Sequence, residues 1–320
     1  MTRPRPPWTP PAREGVSASR VAALPGPWAS WGEFLPLRLP AAPDWDERLA
    51  RGDVLDAQGR PLRADTPCTP GQVAWYWRAL PTEARVPFDI AVLHRCEHLV
   101  AVDKPHFLPV TPGGRYLQQT VLVRLKRLLG CDALVPLHRL DRETAGVVLF
   151  TVQPATRGAY HDVFRQRRVH KVYEAVAPWR EGLTFPQHCS HRLEERPGRA
   201  FMQMRAVAGE PNAHTRVELL ERLPGRLAHY ALHPVTGCKH QLRFQMAALG
   251  LPLLGDRIYP RLLPAEGADA PLDFSQPLQL LAREIGFTDP VTGAPRLFRS
   301  RRGLQALGDA DMAAPAESGA

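Results

Sequence analysis

Apolar residues recur along the chain with two different periods, and each period predicts one kind of element. The run "VVLFTV" (147–152) is almost continuously apolar and predicts a buried strand, whereas "VHKVYEAVAP" alternates and predicts a strand with two distinct faces. In "QTVLVRLKRLLG" and "CKHQLRFQMAALG" apolar residues recur at helical spacing and a glycine follows. These two stretches therefore predict amphipathic helices with glycine at the C-terminal end.

The order of the predicted elements indicates the fold class. Further strands are predicted at the start of "HLVAVDKPHFLPVTPGG", in "NAHTRVELLERL" and in "RLAHYALHPVTG", and "PATRGAYHDVFRQRRV" predicts another helix. Strands and helices do not alternate regularly. We therefore predict an α+β fold with a mixed, largely antiparallel sheet flanked by helices.

Composition divides the chain into four segments. Residues 1–27 are rich in Pro and Arg and the segment 301–320 ends in small polar residues, so we predict that both ends are disordered. The Trp-rich segment 28–83 contains "GDVLDAQGRPL", which predicts a hairpin, and "QVAWYWRAL", which predicts a further strand. We predict a small N-terminal module there, and a larger domain over 84–300.

Charge and cysteine content narrow the class of partner. The 320 residues include 41 Lys and Arg against 32 Asp and Glu, a net charge of +9, which favours a polyanion such as nucleic acid; frequent genomic use of Arg is the alternative explanation. Five cysteines without a C-x-x-C pair indicate neither a disulfide framework nor a zinc ribbon. The sequence shows no signal segment and no membrane-length apolar run, so we expect a cytoplasmic protein.

The helix predicted in "PATRGAYHDVFRQRRV" has one apolar face and one basic face. Three arginines recur at helical spacing on the basic face with few acidic neighbours: Arg157, Arg165 and Arg168. They would contact phosphates of a polyanion, or they would form an ordinary solvated face.

Candidate chemistry concentrates in "PLHRLDRETAGVVLFT" (136–151). The guanidinium of Arg139 and the carboxylate of Asp141 are two residues apart, immediately before a buried strand. Such a pair is either a solvated surface pair or the working edge of an active site on a rigid support.

Three ordered blocks decide between these alternatives. "HRLDRETAG" (138–146), "KVYEAV" (171–176) and "TGCKHQLRFQMAALGLPLLGDRIY" (236–259) resemble the signature blocks of the RluA-type pseudouridine synthases, and the similarity extends from about 92 to 299. The resemblance implies the catalytic fold of that family. It also implies an isomerase that converts a specific uridine of ribosomal or transfer RNA to pseudouridine with no metal or cofactor. We expect a monomer. Segment 28–83 resembles the S-four-type RNA-binding module, and its aromatic residues would either contact RNA or form a small core.

The resemblance assigns roles to five residues. Asp141 would be the nucleophile, and Arg243 would pair with it and keep it ionised. Tyr173 would act as general base or stack on the base, whereas without the family match it would be read as a core tyrosine. Arg139 would help to displace the target base from its stack, and Lys239 would contact RNA.

The chain departs from the family pattern at several positions. Ala145 stands where serine is usual, Cys238 stands where arginine is usual, and Leu281-Ala282 replaces a common Leu-His-Ala. We predict that the cation missing at Cys238 is supplied by the next residue, Lys239; its loss is the alternative.

Two other classes of protein compete with this interpretation. A metal-dependent hydrolase is suggested by the His and Cys residues of "HYALHPVTGCKH" and "HCSH", although their spacing matches no structural zinc site. An RNA-binding protein without catalysis is the other, and the intact set of Asp141, Tyr173 and Arg243 argues against it.

Overall fold

The protein forms two compact units. The computed structural model describes residues 8–40, 42, 44–79, 83–198, 202–264 and 273–308. The smaller unit contains the described part of Met1–Glu83 together with Pro112–Asp132. The larger unit contains Ala84–Thr111 and the described part of Ala133–Ala320.

The smaller unit packs two helices against a three-stranded antiparallel sheet. Its elements are β1 (Ser19–Ala22), α1 (Trp31–Arg38), α2 (Trp45–Arg51), β2 (Val54–Leu55) and β3 (Val73–Tyr76). Strand β3 is central, between β1 and β2. The side chains of Trp31, Phe34 and Trp45 are buried together, so these aromatic residues form an internal core.

Strand β1 differs from the prediction that residues 1–27 are disordered. It pairs with β3 over four residues, and Val21 and Ala23 pack against the aromatic core. A strand this short inside a Pro- and Arg-rich stretch leaves no clear period in the sequence, because its partner lies about fifty residues away. Residues 1–7 of the predicted disordered segment lie outside the described residues.

The smaller unit also takes up a segment that the sequence assigns to the larger domain. Helix α3 (Val121–Leu129) lies in this segment, with the Thr120 side chain as its N-cap and left-handed Gly130 at its C-terminal end. Just before the helix, the Glu83 carboxylate accepts three backbone N–H bonds of 2.6–2.8 Å, from Leu117, Gln118 and Gln119. Contacts this distant in sequence are not visible in composition.

One large sheet organises the larger unit. Its strands are β4 (Ala91–Arg95), β5 (Leu99–Lys104), β6 (Val135–Pro136), β7 (Ala145–Thr151), β8 (His170–Pro178), β9 (Gln187–Glu195), β10 (Met204–Val207), β11 (Ala213–Leu223), β12 (Leu227–Pro234), β13 (Leu280–Thr288) and β14 (Pro295–Arg299). The spatial order is β10-β9-β11-β12-β8-β13-β7-β5-β4, with β14 on β13 and β6 on β7. Among the described strands every pairing is antiparallel except β7 with β13, which confirms the predicted mixed, largely antiparallel sheet.

Two helices flank this sheet at different places. Helix α4 (Arg157–Arg165) buries Tyr160 and Val163 in an apolar cluster with residues of β5, β7 and β13. Helix α5 (Gln241–Ala248) packs Leu242 and Met246 in another cluster, with residues of β8, β11 and β12. In the described part of the chain, no helix is long and apolar enough to span a membrane.

The chain end departs from the prediction of disorder over 301–320. Leu304 is fully buried against Ala145, Val176 and Leu281, and a short 3-10 helix follows at Gln305–Leu307. Residues 309–320 of the predicted tail lie outside the described residues.

Candidate active site

Asp141 lies in the loop that joins β6 to β7. The loop is tied to β7 because Leu137 N–H donates to Leu149 O (2.8 Å) and Leu149 N–H donates to His138 Nε2 (3.2 Å). It ends in a turn in which Thr144 N–H donates to Asp141 O (3.2 Å). The carboxylate is therefore mounted at the start of a fully buried strand.

Two side chains at the end of β5 and just after it hold the β6–β7 loop. The buried Lys104 ammonium donates to three backbone carbonyls, including that of Arg142 (3.0 Å). His106 Nδ1 donates to Glu143 O (2.6 Å). Burial lowers the pKa of Lys104 to about 7. These contacts fix the two residues that follow Asp141.

Helix α5 brings Arg243 to the carboxylate. Arg243 is 1% exposed, and its Nη1 lies 3.3 Å from Asp141 Oδ2 and 3.6 Å from Glu143 Oε2. The other edge of the guanidinium makes two shorter hydrogen bonds to Asp256, of 2.9 and 2.7 Å. Burial alone would lower the pKa of Arg243, but the bonds to Asp256 and the surrounding carboxylates raise it above the usual value, so the side chain stays charged.

A histidine also faces the nucleophile candidate. His240 precedes α5 with a left-handed φ of 52°, and its Nε2 lies 3.8 Å from Asp141 Oδ2. Its Nδ1 lies 3.4 Å from the Tyr259 hydroxyl. Burial lowers the pKa of His240, against the opposing effect of the Asp141 charge, so the ring is neutral at pH 7.

Tyr173 is half-buried on β8, opposite Leu232 of β12 and Ala282 of β13. Burial, followed by the negative charge of Asp141, raises the pKa of Tyr173 above its usual value. The phenol is therefore neutral at physiological pH, and it offers a flat apolar ring and a hydrogen-bond donor.

These groups line an open cleft of about 860 Å³ in the larger unit. Asp141 and Tyr173 lie in its wall, and Arg243 lines a smaller adjoining cavity that both residues share. The cleft is rich in cations and histidines: His138, Arg139, Arg142, His161, Arg165, Arg167, Lys171, Lys239 and His240. A polyanion is the ligand class that this lining favours.

The predicted RNA-binding residues fall into two groups, those that line the cleft and those that do not. Arg139, Arg165 and Lys239 line the cleft, with Arg165 paired to Asp162 (2.8 Å) and Lys239 paired to Glu195 (2.8 Å). Arg157 and Arg168 are not among the lining residues. Arg157 Nη2 instead donates to Ala133 O (2.7 Å), and Arg168 is exposed.

Three residues of the site were not singled out from the sequence. Lys171 lines the cleft and donates to Thr236 O (2.8 Å), and burial, with the charge of Arg167 second, lowers its pKa to about 8. The alternation of side chains along a strand could have identified Lys171, because it lies two residues before Tyr173 and therefore on the same face of β8. Arg167 also lines the cleft and adopts a left-handed φ of 58°. The buried side chain of Asp256 lies in the third sequence block, and only its contact with Arg243 identifies it as part of the site.

Two residues of the rival metal-site hypothesis have other partners. His233 Nε2 lies 3.0 Å from Glu218 Oε2, and Cys238 Sγ donates to Asn212 O (3.3 Å). Within the described ranges, no group of three or more His, Cys, Asp or Glu side chains is arranged to hold a metal ion.

Comparison with known proteins indicates the family of this chain. The RNA pseudouridylate synthase family model matches residues 98–248, a range that includes Asp141, Tyr173 and Arg243. An uncharacterised RNA pseudouridine synthase of Synechocystis is 35% identical over 216 residues, which cover 67% of this chain and 73% of that one. The dual-specificity RNA pseudouridine synthase RluA of Haemophilus influenzae is 33% identical over 218 residues, 66% of this chain and 92% of the relative.

The chain belongs to the RluA-type pseudouridine synthase family. It is therefore an RNA pseudouridine synthase, an isomerase whose family uses an aspartate nucleophile and no cofactor. The fold agrees: human RNA pseudouridylate synthase domain containing 1 aligns with a TM-score of 0.53 over 69% of this chain and 86% of that one, at 21% identity.

Proposed function

We propose that the protein isomerises a specific uridine of ribosomal or transfer RNA in the cytoplasm, acting as a monomer. The observation that carries this proposal is the Asp141–Arg243 pair, set beside Tyr173 in a cleft lined by cations. The Haemophilus influenzae relative is named a dual-specificity enzyme, which supports keeping both RNA classes as candidates.

Asp141 is the nucleophile in this proposal. Its carboxylate lies beside Arg243 and is 27% exposed to the cleft, so an oxygen can reach the ribose. In one route it attacks the anomeric carbon as the bond to uracil nitrogen 1 breaks. In that route the bond to Asp141 breaks when carbon 5 of the base attacks the same carbon. In the other route the Asp141 carboxylate takes the proton of carbon 2′ as the bond to nitrogen 1 breaks, which gives a glycal, and carbon 2′ regains that proton when the base rejoins. In both routes the base turns and rejoins through carbon 5, and the proton of carbon 5 is released to water.

Tyr173 supports the base during this rearrangement. Its raised pKa makes a standing phenolate unavailable near neutral pH, which favours stacking over general-base catalysis. A half-buried ring in the cleft wall gives the detached uracil an apolar surface on which to turn.

Arg139 is suited to fill the space that the target base leaves. It is exposed at the cleft, and within the described residues it has no hydrogen-bond or ion-pair partner. A planar guanidinium can stack on neighbouring bases and contact phosphate at once, which offsets the few kcal/mol that unstacking costs.

The RNA backbone would follow the cationic side of the cleft. Arg165, Arg167, Lys171 and Lys239 supply the charges there, and Arg168 extends them on the exposed surface. Arg157, which is predicted from the sequence to contact phosphate, would act indirectly by holding the Ala133 carbonyl. We assign the N-terminal module, predicted over 28–83, an additional contribution to RNA affinity without a part in the chemistry.

Pseudouridine mapping across cellular RNA tests the substrate class. We expect a strain lacking the gene to lose pseudouridine at one or a few uridines of ribosomal or transfer RNA, and the wild-type gene to restore it. The Asp141→Asn gene is the control and should not restore it. An unchanged map, or loss confined to messenger RNA, would contradict the proposal.

A further inference from the structure

We propose that Asp256 is a positioning residue for the reaction, and that it acts by holding the Arg243 guanidinium so that only Nη1 faces Asp141. This proposal rests on the proposed function, because it gives Arg243 its role beside the nucleophile. Asp256 lies outside the family-matched range 98–248 and follows α5 by eight residues.

The contacts of Arg243 are unequal. Asp256 accepts from Nε (2.9 Å, at Oδ2) and from Nη2 (2.7 Å, at Oδ1), a two-point pairing that fixes the plane of the guanidinium. The single contact of Nη1 with Asp141 is longer, at 3.3 Å. Because the group is planar and rigid, fixing one edge also fixes the direction of Nη1.

Asp256 is itself held by the backbone. Its side chain has 0% exposure, and its Oδ1 also accepts N–H bonds from Ile258 (2.7 Å) and Tyr259 (3.1 Å). The preceding Gly255 has a left-handed φ of 77°, and a Cβ there would lie 2.6 Å from Pro277 O. The turn therefore fixes the position of the Asp256 carboxylate, and this carboxylate in turn fixes the Arg243 guanidinium.

This division of contacts suits a nucleophile. A carboxylate that accepted both strong bonds of a guanidinium would be oriented, but fewer of its lone pairs would be left for a substrate. Asp256 takes the two strong bonds, whereas Asp141 receives one longer contact and keeps oxygen lone pairs for the substrate. Removing the Asp256 charge should also let Arg243 turn toward Asp141 or Glu143 and block them.

The test is Asp256→Asn, which keeps the side-chain shape and one oxygen for the backbone N–H groups but places an amide donor against the guanidinium. The substrate is total RNA from the gene-deletion strain, tritiated at uridine carbon 5, with tritium release followed in single turnover. We expect the rate at saturating enzyme to fall about 100-fold, as misplacing a reacting group does, while the half-saturating enzyme concentration stays within about twofold.

A matched control is Asp289→Asn. Asp289 is also buried, also pairs with an arginine (Arg296, 3.0 Å) and also accepts two backbone N–H bonds, but it does not line the cleft. We expect this variant to react at the wild-type rate. Asp256→Glu restores the charge one methylene away and should recover about tenfold of the lost rate. It carries the same test if Asp256→Asn does not fold.

Coupling to Arg243 separates positioning from general stability. In an Arg243→Met background, Asp256→Asn should have no additional effect on the rate. A folded Asp256→Asn protein with a near wild-type rate would overturn the proposal, and so would an equal loss in Asp289→Asn or an undiminished effect in the Arg243→Met background. Absence of tritium release by the wild-type protein would instead contradict the proposed function.

Discussion

At the scale of single residues, Lys171 is a cation of the cleft that titrates near physiological pH. The pKa of Lys171 is lowered to about 8, chiefly by burial, with Arg167 adding to the effect. The nearby Cys238 thiol has a raised pKa, so it stays neutral over the same interval. A cation with a lowered pKa loses its charge as pH rises through that value, and any RNA contact it makes weakens in that direction.

We therefore expect RNA affinity to fall about fourfold between pH 7 and pH 8.5, in proportion to the charged fraction of Lys171. The half-saturating enzyme concentration in the single-turnover assay measures it. Lys171→Arg keeps its charge over this interval and should remove most of the pH dependence. If the RNA affinity of Lys171→Arg still fell fourfold over this interval, another group would be titrating.

The family resemblance predicted much of the candidate site, including the contact of Arg243 with Asp141, but not its other internal contacts. Asp141, Tyr173 and Arg139 were identified because they stand in sequence blocks with a family resemblance. The predicted shift of charge from Cys238 to Lys239 places a cation at the cleft, but that cation is paired to Glu195. Such pairings depend on residues distant in sequence, so no local pattern reports them.

At the scale of elements, the parallel pairing of β7 with β13 depends on one glycine. Gly146 has a φ of 113°, and a Cβ at this position would lie 2.3 Å from Ala282 O of the neighbouring strand. This pairing lies at the start of β7, directly after the loop that carries Asp141. The "TAG" in the first block is therefore a packing requirement as well as a turn signal.

We expect Gly146→Ala to destabilise the protein by about 3 kcal/mol or more, because it adds backbone strain and a clash with a backbone atom. Gly293→Ala is the matched control: its φ is 73°, with nothing within 4 Å of an added Cβ, so only strain of about 1 kcal/mol applies. Urea unfolding measures both. Equal losses for the two variants would contradict the packing argument.

The arginines of helix α4 and of the turn after it should differ in how much they contribute to RNA binding. Arg165→Glu and Arg167→Glu together should weaken RNA binding and make its salt dependence shallower by roughly two units. Arg168→Glu, on the exposed surface outside the cleft lining, is the comparison and should change the slope by less than one. If the salt dependence of binding were unchanged in the double variant, the two cleft arginines would not contact phosphates.

At the scale of the whole molecule, the N-terminal segment shares a compact unit with a segment later in the chain. Pro112–Asp132 belongs to the same compact unit as the segment before residue 84. Val16 packs with Leu117 and Val123, and the Glu83 carboxylate accepts three N–H groups ahead of α3. Periodicity predicted α3 correctly, but it could not predict which core the helix joins.

A variant that starts at residue 84 should therefore lose stability as well as RNA affinity. Three partly buried N–H groups would lose their acceptor, at up to about 1–3 kcal/mol each where water does not replace it. Thermal unfolding measures the effect, and removal of residues 309–320 alone is the control, for which we expect no change. An unchanged melting temperature in the shortened variant would contradict this account of the smaller unit.

The account as a whole depends most on Asp141. The direct measurement is tritium release from RNA labelled at uridine carbon 5, in single turnover with Asp141→Asn, alongside RNA binding by the same variant. Asn keeps the side-chain shape but lacks the charge and nucleophilicity of the carboxylate, so we expect tritium release to be abolished while RNA still binds. Substantial tritium release by Asp141→Asn would contradict the mechanism.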